Sequence, residues 1–344
     1  MAIATGWPRS SRSCRRRLRS GTSRLRNVFA PAVIEGLRGS AVPIVVTGAG
    51  GWLGQAALEA LEGALGEAMP GRVTAFASTG KEMALRSGRR IALQAYDTLG
   101  GLVMGPALIL HFAFRTRGFA REEGYVETNR RITATMRRFI LRNGAFGMFV
   151  PSSGAVYGAG RVPHRDVAAD PYGALKYEDE LVFAALAREC GFPVTIMRIF
   201  NLAGPCMNNL AGYALACIVT DILRGGPVQL RAAHPVLRGY AHVGDVLDIA
   251  LSLLLARREL PVFDSAGEPV LEIGELALLA ARLMTGKELE VRRPDWRGGA
   301  ADSYAGDMQS YAGAARIAGV GLRPLEVQIG DTAAYIRAAI APGG

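Results

Sequence analysis

VPIVVTGAGGWLGQAALEALEGAL, residues Val42 to Leu65, carries three structural signals in succession. Val42–Thr47 is a short β-branched run closed by glycine, which reads as a buried strand. Gly48, Gly51 and Gly54 follow, three residues apart. Gln55–Leu65 then has the apolar spacing of a helix packed against a sheet. One glycine lets the chain turn without a Cβ clash, a second lets a pyrophosphate reach the main chain, and a third lets helix and strand pack closely. The free N–H groups and dipole of the helix N-terminus favour the phosphates. This order predicts a doubly wound, mostly parallel α/β sheet, with a dinucleotide held at Gly48, Gly51, Trp52, Leu53 and Gly54.

The next strand is expected at Arg72–Ala77. A site for NAD usually has an acid just after it to take the ribose hydroxyls. Here Ala77, Ser78, Thr79 and Gly80 lead to Lys81, with Arg86, Arg89 and Arg90 beyond. Neutral then basic residues suit a 2′-phosphate, so NAD or NADP is expected, NADP slightly favoured, with Ser78 and Lys81 as contacts. Ile91–Gln94 reads as a third strand and Ala107–Phe112 as a fourth.

Phe146–Pro151 is a further strand, and Ser152, Ser153 and Gly154 stand at its C-terminal end, where open α/β sheets bind ligands. Tyr172 lies nineteen residues after Ser153, and Lys176 four further on in YGALK. Tyr177–Glu189 is strongly helical, which puts Tyr172 and Lys176 on one helix face. A phenol is a poor base until a nearby ammonium stabilises its phenolate. Lys176 is one of three lysines against 37 arginines.

With these motifs the chain resembles an extended short-chain dehydrogenase/reductase, in the NAD(P)-dependent epimerase/dehydratase family that acts largely on nucleotide-sugars. The similarity runs from Val42 almost to the C-terminus through TGAGGWLG (Thr47–Gly54), HFAF (His111–Phe114), SSGAVYG (Ser152–Gly158), PYGALK (Pro171–Lys176), RIFNLAGP (Arg198–Pro205) and RGYAHVGD (Arg238–Asp245). It implies a Rossmann-type fold with a smaller C-terminal substrate domain. Tyr172 is then the acid/base, Lys176 holds the nicotinamide ribose and lowers the tyrosine pKa, and Ser153 hydrogen-bonds the reacting oxygen. Asn129 is implied as a structural residue, with Asn201 and Arg238 as substrate contacts. Dehydratases of the family carry an Asp–Glu pair where this chain has Gly154 and Ala155, and ketone-adjacent epimerases a cysteine in place of Ala155. That leaves a 4-epimerase or 4-ketoreductase of a nucleotide-sugar. The alternatives are an NADP-dependent reductase or dehydrogenase of a non-nucleotide carbonyl or alcohol, and a non-catalytic cofactor-binding regulatory protein.

Composition bounds the rest. The 344 residues carry a formal charge of +10, but residues 1–40 hold nine arginines and one glutamate, so residues 41–344 are near neutral. A nucleic-acid partner is therefore not expected. Four cysteines and four histidines are scattered without a metal spacing, so neither a metal nor a disulfide framework is expected. The longest apolar stretch, Gly100–Phe114, is too short to span a bilayer. A cytoplasmic homodimer with a small-molecule substrate is the expectation, with helices near 128–142 and 172–190 pairing about the two-fold axis. Residues 1–40 read as a disordered basic leader or a targeting segment. The cofactor domain is assigned to 42–200 with a return near 236–261, and the substrate domain to 201–235 and 262–344.

Overall fold

The computed structural model describes residues 29–296 and 298–341. After helix α1 (Pro31–Gly39), strand β1 (Ile44–Thr47) leads through the glycine turn into α2 (Trp52–Leu65). The sheet continues with β2 (Val73–Ala77), β3 (Lys81–Ala84), β4 (Arg90–Ala95) and β5 (Ala107–His111). Helix α3 (Tyr125–Asn143), β6 (Ala145–Ser153), α4 (Pro171–Cys190) and β7 (Val194–Ile199) complete the first half. The main sheet has eight strands in the order β12-β7-β6-β5-β1-β2-β4-β3, where β12 is Phe263–Asp264. β1 is central and pairs in parallel with both β2 and β5. Ile44 and Val46 enter the core on one face and Val45 the core on the other, which is why the strand reads as unbroken apolar sequence.

The smaller part contains β8 (Asn201–Ala203), α5 (Ala214–Leu223), β9 (Val228–Gln229), β10 (Val236–Arg238) and β11 (Tyr240–His242). It also holds β13 (Leu271–Glu272), α7 (Ile273–Thr285), β14 (Val291–Arg292), β15 (Asp302–Tyr304) and α9 (Leu325–Ile340). Between its segments, α6 (Val243–Leu255) lies against the large sheet, buried along almost its whole length. α8 (Met308–Ala318) covers α6 in turn. The strands of this part make a three-stranded sheet β13-β10-β15 and two short pairs.

Three details correct the sequence reading. The basic leader does not run to residue 40 as a disordered segment, because Phe29, Val33 and Leu37 are buried at helical spacing. The Ala30 N–H also donates to Asp248 Oδ1 at 2.7 Å. Averaging over an arginine-rich stretch hid that stripe; residues 1–28 lie outside the described residues. Residues 81–84, which the sequence reading assigned to no element, form an antiparallel edge strand on β4. Finally, the large sheet takes its last strand from Phe263–Asp264, which pairs in parallel with β7, so the cofactor domain extends beyond 261.

Candidate active site

Gly48 has φ +64°, and a Cβ there would lie 2.5 Å from the Phe112 backbone. A Cβ on Gly54 would lie 2.3 Å from the Gly48 carbonyl oxygen, so helix and turn meet only because both residues are glycine. Gly51 caps α2 without a side-chain hydrogen bond, and the first turn holds no acid. Its opening N–H groups therefore remain available to an anion. Lys81 Nζ stands 3.6 Å from where a Cβ on Gly50 would lie, and no ion pair to it is found among the described residues. A bare glycine edge, an uncapped helix end and an ammonium are a fitting donor set for a dinucleotide pyrophosphate or ribose phosphate. Leu53, in the first turn of α2, packs against the core, and Ser78 is exposed beyond β2. The three arginines beyond Lys81 are engaged elsewhere: Arg86 with Glu59, Arg89 with Glu62 and Glu67, Arg90 with Glu82. Trp52 ties the turn to the smaller part, donating from Nε1 to the Pro205 carbonyl at 2.7 Å and packing edge-on to Tyr213.

β6 delivers Ser153 and α4 delivers Tyr172 and Lys176. The helix starts sharply because Asp170 caps it through the Gly173 N–H and Pro171 fixes its first turn. Gly173 allows its close approach, since a Cβ there would lie 2.3 Å from the Ala155 carbonyl oxygen. Lys176 is buried, donates to the Pro151 carbonyl at 3.0 Å and lies 3.9 Å over the Phe114 ring. Burial lowers its pKa to about 8 against the opposing pull of Asp179 and Glu180. Tyr172 packs edge-on to Phe114, with the Arg117 guanidinium 5.9 Å from its ring centre. Burial raises its pKa, while the Ser153 hydroxyl and Arg117 act to lower it and Asp170 to raise it. The positive charge acting on the phenol is thus Arg117, a residue the sequence reading passed over, while Lys176 is turned to a carbonyl.

Behind the site, Ser152 donates to Glu180, which holds Arg198 through two hydrogen bonds of 2.8 and 2.6 Å. Asn129 Oδ1 accepts from the Arg115 N–H at 2.8 Å, and its Nδ2 donates to the Tyr125 carbonyl, fixing the loop that carries Phe114. His111 bonds Thr47 Oγ1 through Nδ1 at 2.8 Å; burial, and then the Lys176 charge, lower its pKa to about 3 and keep it neutral. A side chain at position 154 would run into the Phe200 ring, 2.5 Å from its Cβ, so the acid of a dehydratase pair has no room there.

The structure brings Ser153 to Tyr172 and packs Tyr172 and Lys176 on Phe114, two residues beyond the Phe112 backbone that Gly48 meets. Asn201 and Arg238 meet a different element. Asn201 Nδ2 donates to the Tyr304 and Gly239 carbonyls, and Arg238 pairs with the Asp302 carboxylate at 2.7 Å. Tyr304 itself reaches the centre, its hydroxyl 3.4 Å from Ser153 Oγ. It lies 151 residues from Ser153 with no motif around it, so no spacing in the sequence could have found it. Among the described residues no group of histidine, cysteine, aspartate and glutamate is arranged to hold a metal, and no helix is long and apolar enough to cross a membrane.

A parallel nucleotide-binding sheet with serine, tyrosine and lysine at its C-terminal edge defines a short-chain dehydrogenase/reductase architecture. A profile of the NAD dependent epimerase/dehydratase family matches residues 44–265, and the chain belongs to that family. Among solved structures it is similar to the UDP-glucose 4-epimerase of Thermotoga maritima, solved with UDP-glucose, at 21% identity and TM-score 0.67 over 87% of this chain and 100% of that one. It is also similar to the UDP-glucuronic acid 4-epimerase of Bacillus cereus, solved with NAD, at 17% identity and TM-score 0.64 over 86% and 96%. The dTDP-glucose 4,6-dehydratase of Streptomyces venezuelae matches at 21% identity and TM-score 0.65 over 86% and 97%. At these identities the likeness is one of fold. No curated protein matches the chain in sequence.

Proposed function

We propose that the chain interconverts a hydroxyl and a ketone at ring carbon 4 of a nucleotide-sugar, as a 4-epimerase or 4-ketoreductase. The observation that carries this reading is the meeting of Ser153 with Tyr172, and of Tyr172 and Lys176 on one Phe114 ring, in a member of this family. Gly48, Gly51 and Gly54, the first turn of α2 and Lys81 would hold the dinucleotide. When bound, the nicotinamide supplies the acceptor and donor of hydride. Tyr172 takes the proton of the sugar hydroxyl and returns it, which is general acid/base work. The Ser153 hydroxyl donates to the same oxygen, the Lys176 ammonium supplies charge for the ribose, and the Arg117 guanidinium supplies it for the phenol. The neighbours solved with NAD support NAD as the cofactor. The missing acid at 77–80 and the free ammonium of Lys81 support acceptance of NADP and keep the reductase reading beside the epimerase.

A homodimer through α3 and α4 in a cytoplasmic setting belongs to the same reading. It is supported by Leu141, Leu181 and Val182, exposed apolar residues on those two helices. The test of function is a panel of UDP- and dTDP-hexoses given with NAD and with NADP, followed by magnetic resonance at carbon 4. Interconversion without net change in nicotinamide absorbance identifies the epimerase, and stoichiometric change identifies the reductase. Turnover of simple carbonyls alone would overturn the nucleotide-sugar assignment.

A further inference from the structure

We infer that Tyr304 is a positioning residue of the reaction centre, its hydroxyl donating to Ser153 Oγ so that the Ser153 hydrogen is directed at Tyr172 and the reacting oxygen. The inference rests on the Ser153–Tyr172 site proposed above. A serine hydroxyl has one hydrogen and two lone pairs. One lone pair of Ser153 accepts the Ala155 N–H at 3.1 Å, and the Tyr304 hydroxyl stands 3.4 Å from the same oxygen. With both lone pairs engaged, the hydrogen is left to point at Tyr172, whose pKa the Ser153 hydroxyl acts to lower. A separation of 3.4 Å is long, but hydrogen bonds of this kind tighten when substrate arrives.

Tyr304 is held with more care than a lining residue needs. β15 runs parallel to β10 with Tyr304 opposite Arg238. The Arg238 guanidinium grips Asp302 at both its carboxylate and its carbonyl, 2.7 and 2.9 Å away. Asn201 Nδ2 donates to the Tyr304 carbonyl at 2.8 Å, and the Phe200 ring packs 4.7 Å from the Tyr304 ring. Asn201 and Arg238, both expected to meet substrate, thus fix the strand that aims this hydroxyl. Burial raises the Tyr304 pKa and outweighs the lowering by the Ser153 hydroxyl, Arg117 and the Ala155 N–H, with Tyr172 adding to the rise, so it remains a phenol able to donate.

The test is Tyr304→Phe, which keeps the ring and its packing on Phe200. Tyrosinate absorbance is titrated without substrate, and Tyr172 is isolated by subtracting the Tyr172→Phe protein. Tyr304→Phe should raise the Tyr172 pKa, Ser153→Ala should raise it too, and the double variant should go no further than Ser153→Ala alone. Asp302→Asn, which loosens the Arg238 grip and leaves the hydroxyl in place, should give a smaller shift of the same sign. On a nucleotide-sugar that the wild type turns over, Tyr304→Phe should lower kcat roughly fivefold with KM unchanged, the size of one hydrogen bond. An unchanged Tyr172 titration in Tyr304→Phe, or additive effects of the two hydroxyl deletions, would overturn the inference. The titration decides this even if no nucleotide-sugar is turned over, an outcome that would count against the proposed function alone.

Discussion

At Lys81 one ammonium stands beside the glycine turn while its basic neighbours are paired to glutamates. Lys81→Ala should therefore raise KM for NADP on the order of tenfold more than KM for NAD, because only NADP offers it a phosphate. Equal effects on the two cofactors would place the ammonium on the shared pyrophosphate. At Lys176 the signs can be worked through. Burial holds its pKa down to about 8, and Asp179, itself raised to about 6 by burial, is ionised above that pH and pulls the other way. Asp179→Asn keeps an acceptor for Thr133 but removes the opposing charge, so the ammonium is lost at lower pH. The basic limb of kcat/KM should move down by roughly half a unit or more, and pH profiles of the two proteins check it. The residues that were legible in the sequence are those whose constraint is local: a glycine turn, or two side chains four apart on a helix. Tyr304 and Arg117 were not, because only the folded chain brings them to Ser153 and Tyr172.

At the scale of elements, α1 shows how composition misleads. Arginines dominate the segment as a whole, yet Phe29, Val33 and Leu37 recur every four residues and pack into the main core. Leu37→Ala should cost about 2–5 kcal/mol, and removal of residues 1–39 should cost at least as much, both read from denaturant unfolding. Unchanged stability would mean that α1 contributes nothing to the fold. β1, β6 and α4 were legible because both faces of the strands, or one stripe of the helix, are buried and the residues record it. β3 left no such record: none of its four residues is buried, so nothing in its pattern marks an edge strand. β15 is short and irregularly covered, and its importance comes from its partner β10 and from Arg238 across the pair.

For the whole molecule, the positive charge is concentrated in the first 40 residues, and residues 41–344 are near neutral. Leu141, Leu181 and Val182 are exposed apolar residues on α3 and α4, the face proposed above for the dimer contact. Val182→Glu should shift the protein toward monomer in light scattering while leaving its thermal unfolding nearly unchanged; an unaltered mass would exclude this face from the contact. The succession of β1, β2, β5 and β6 in the large sheet was legible from the run of strands and helices, whereas the return of Phe263–Asp264 to it was not, since two residues carry no periodicity. In the proposed function Tyr172 is the single proton carrier. Tyr172→Phe keeps the ring packed on Phe114 and should leave cofactor affinity nearly unchanged while lowering kcat ~10²–10⁴-fold on the substrate that the wild type turns over. Retention of more than about a tenth of wild-type turnover would contradict the assignment of Tyr172 as acid/base.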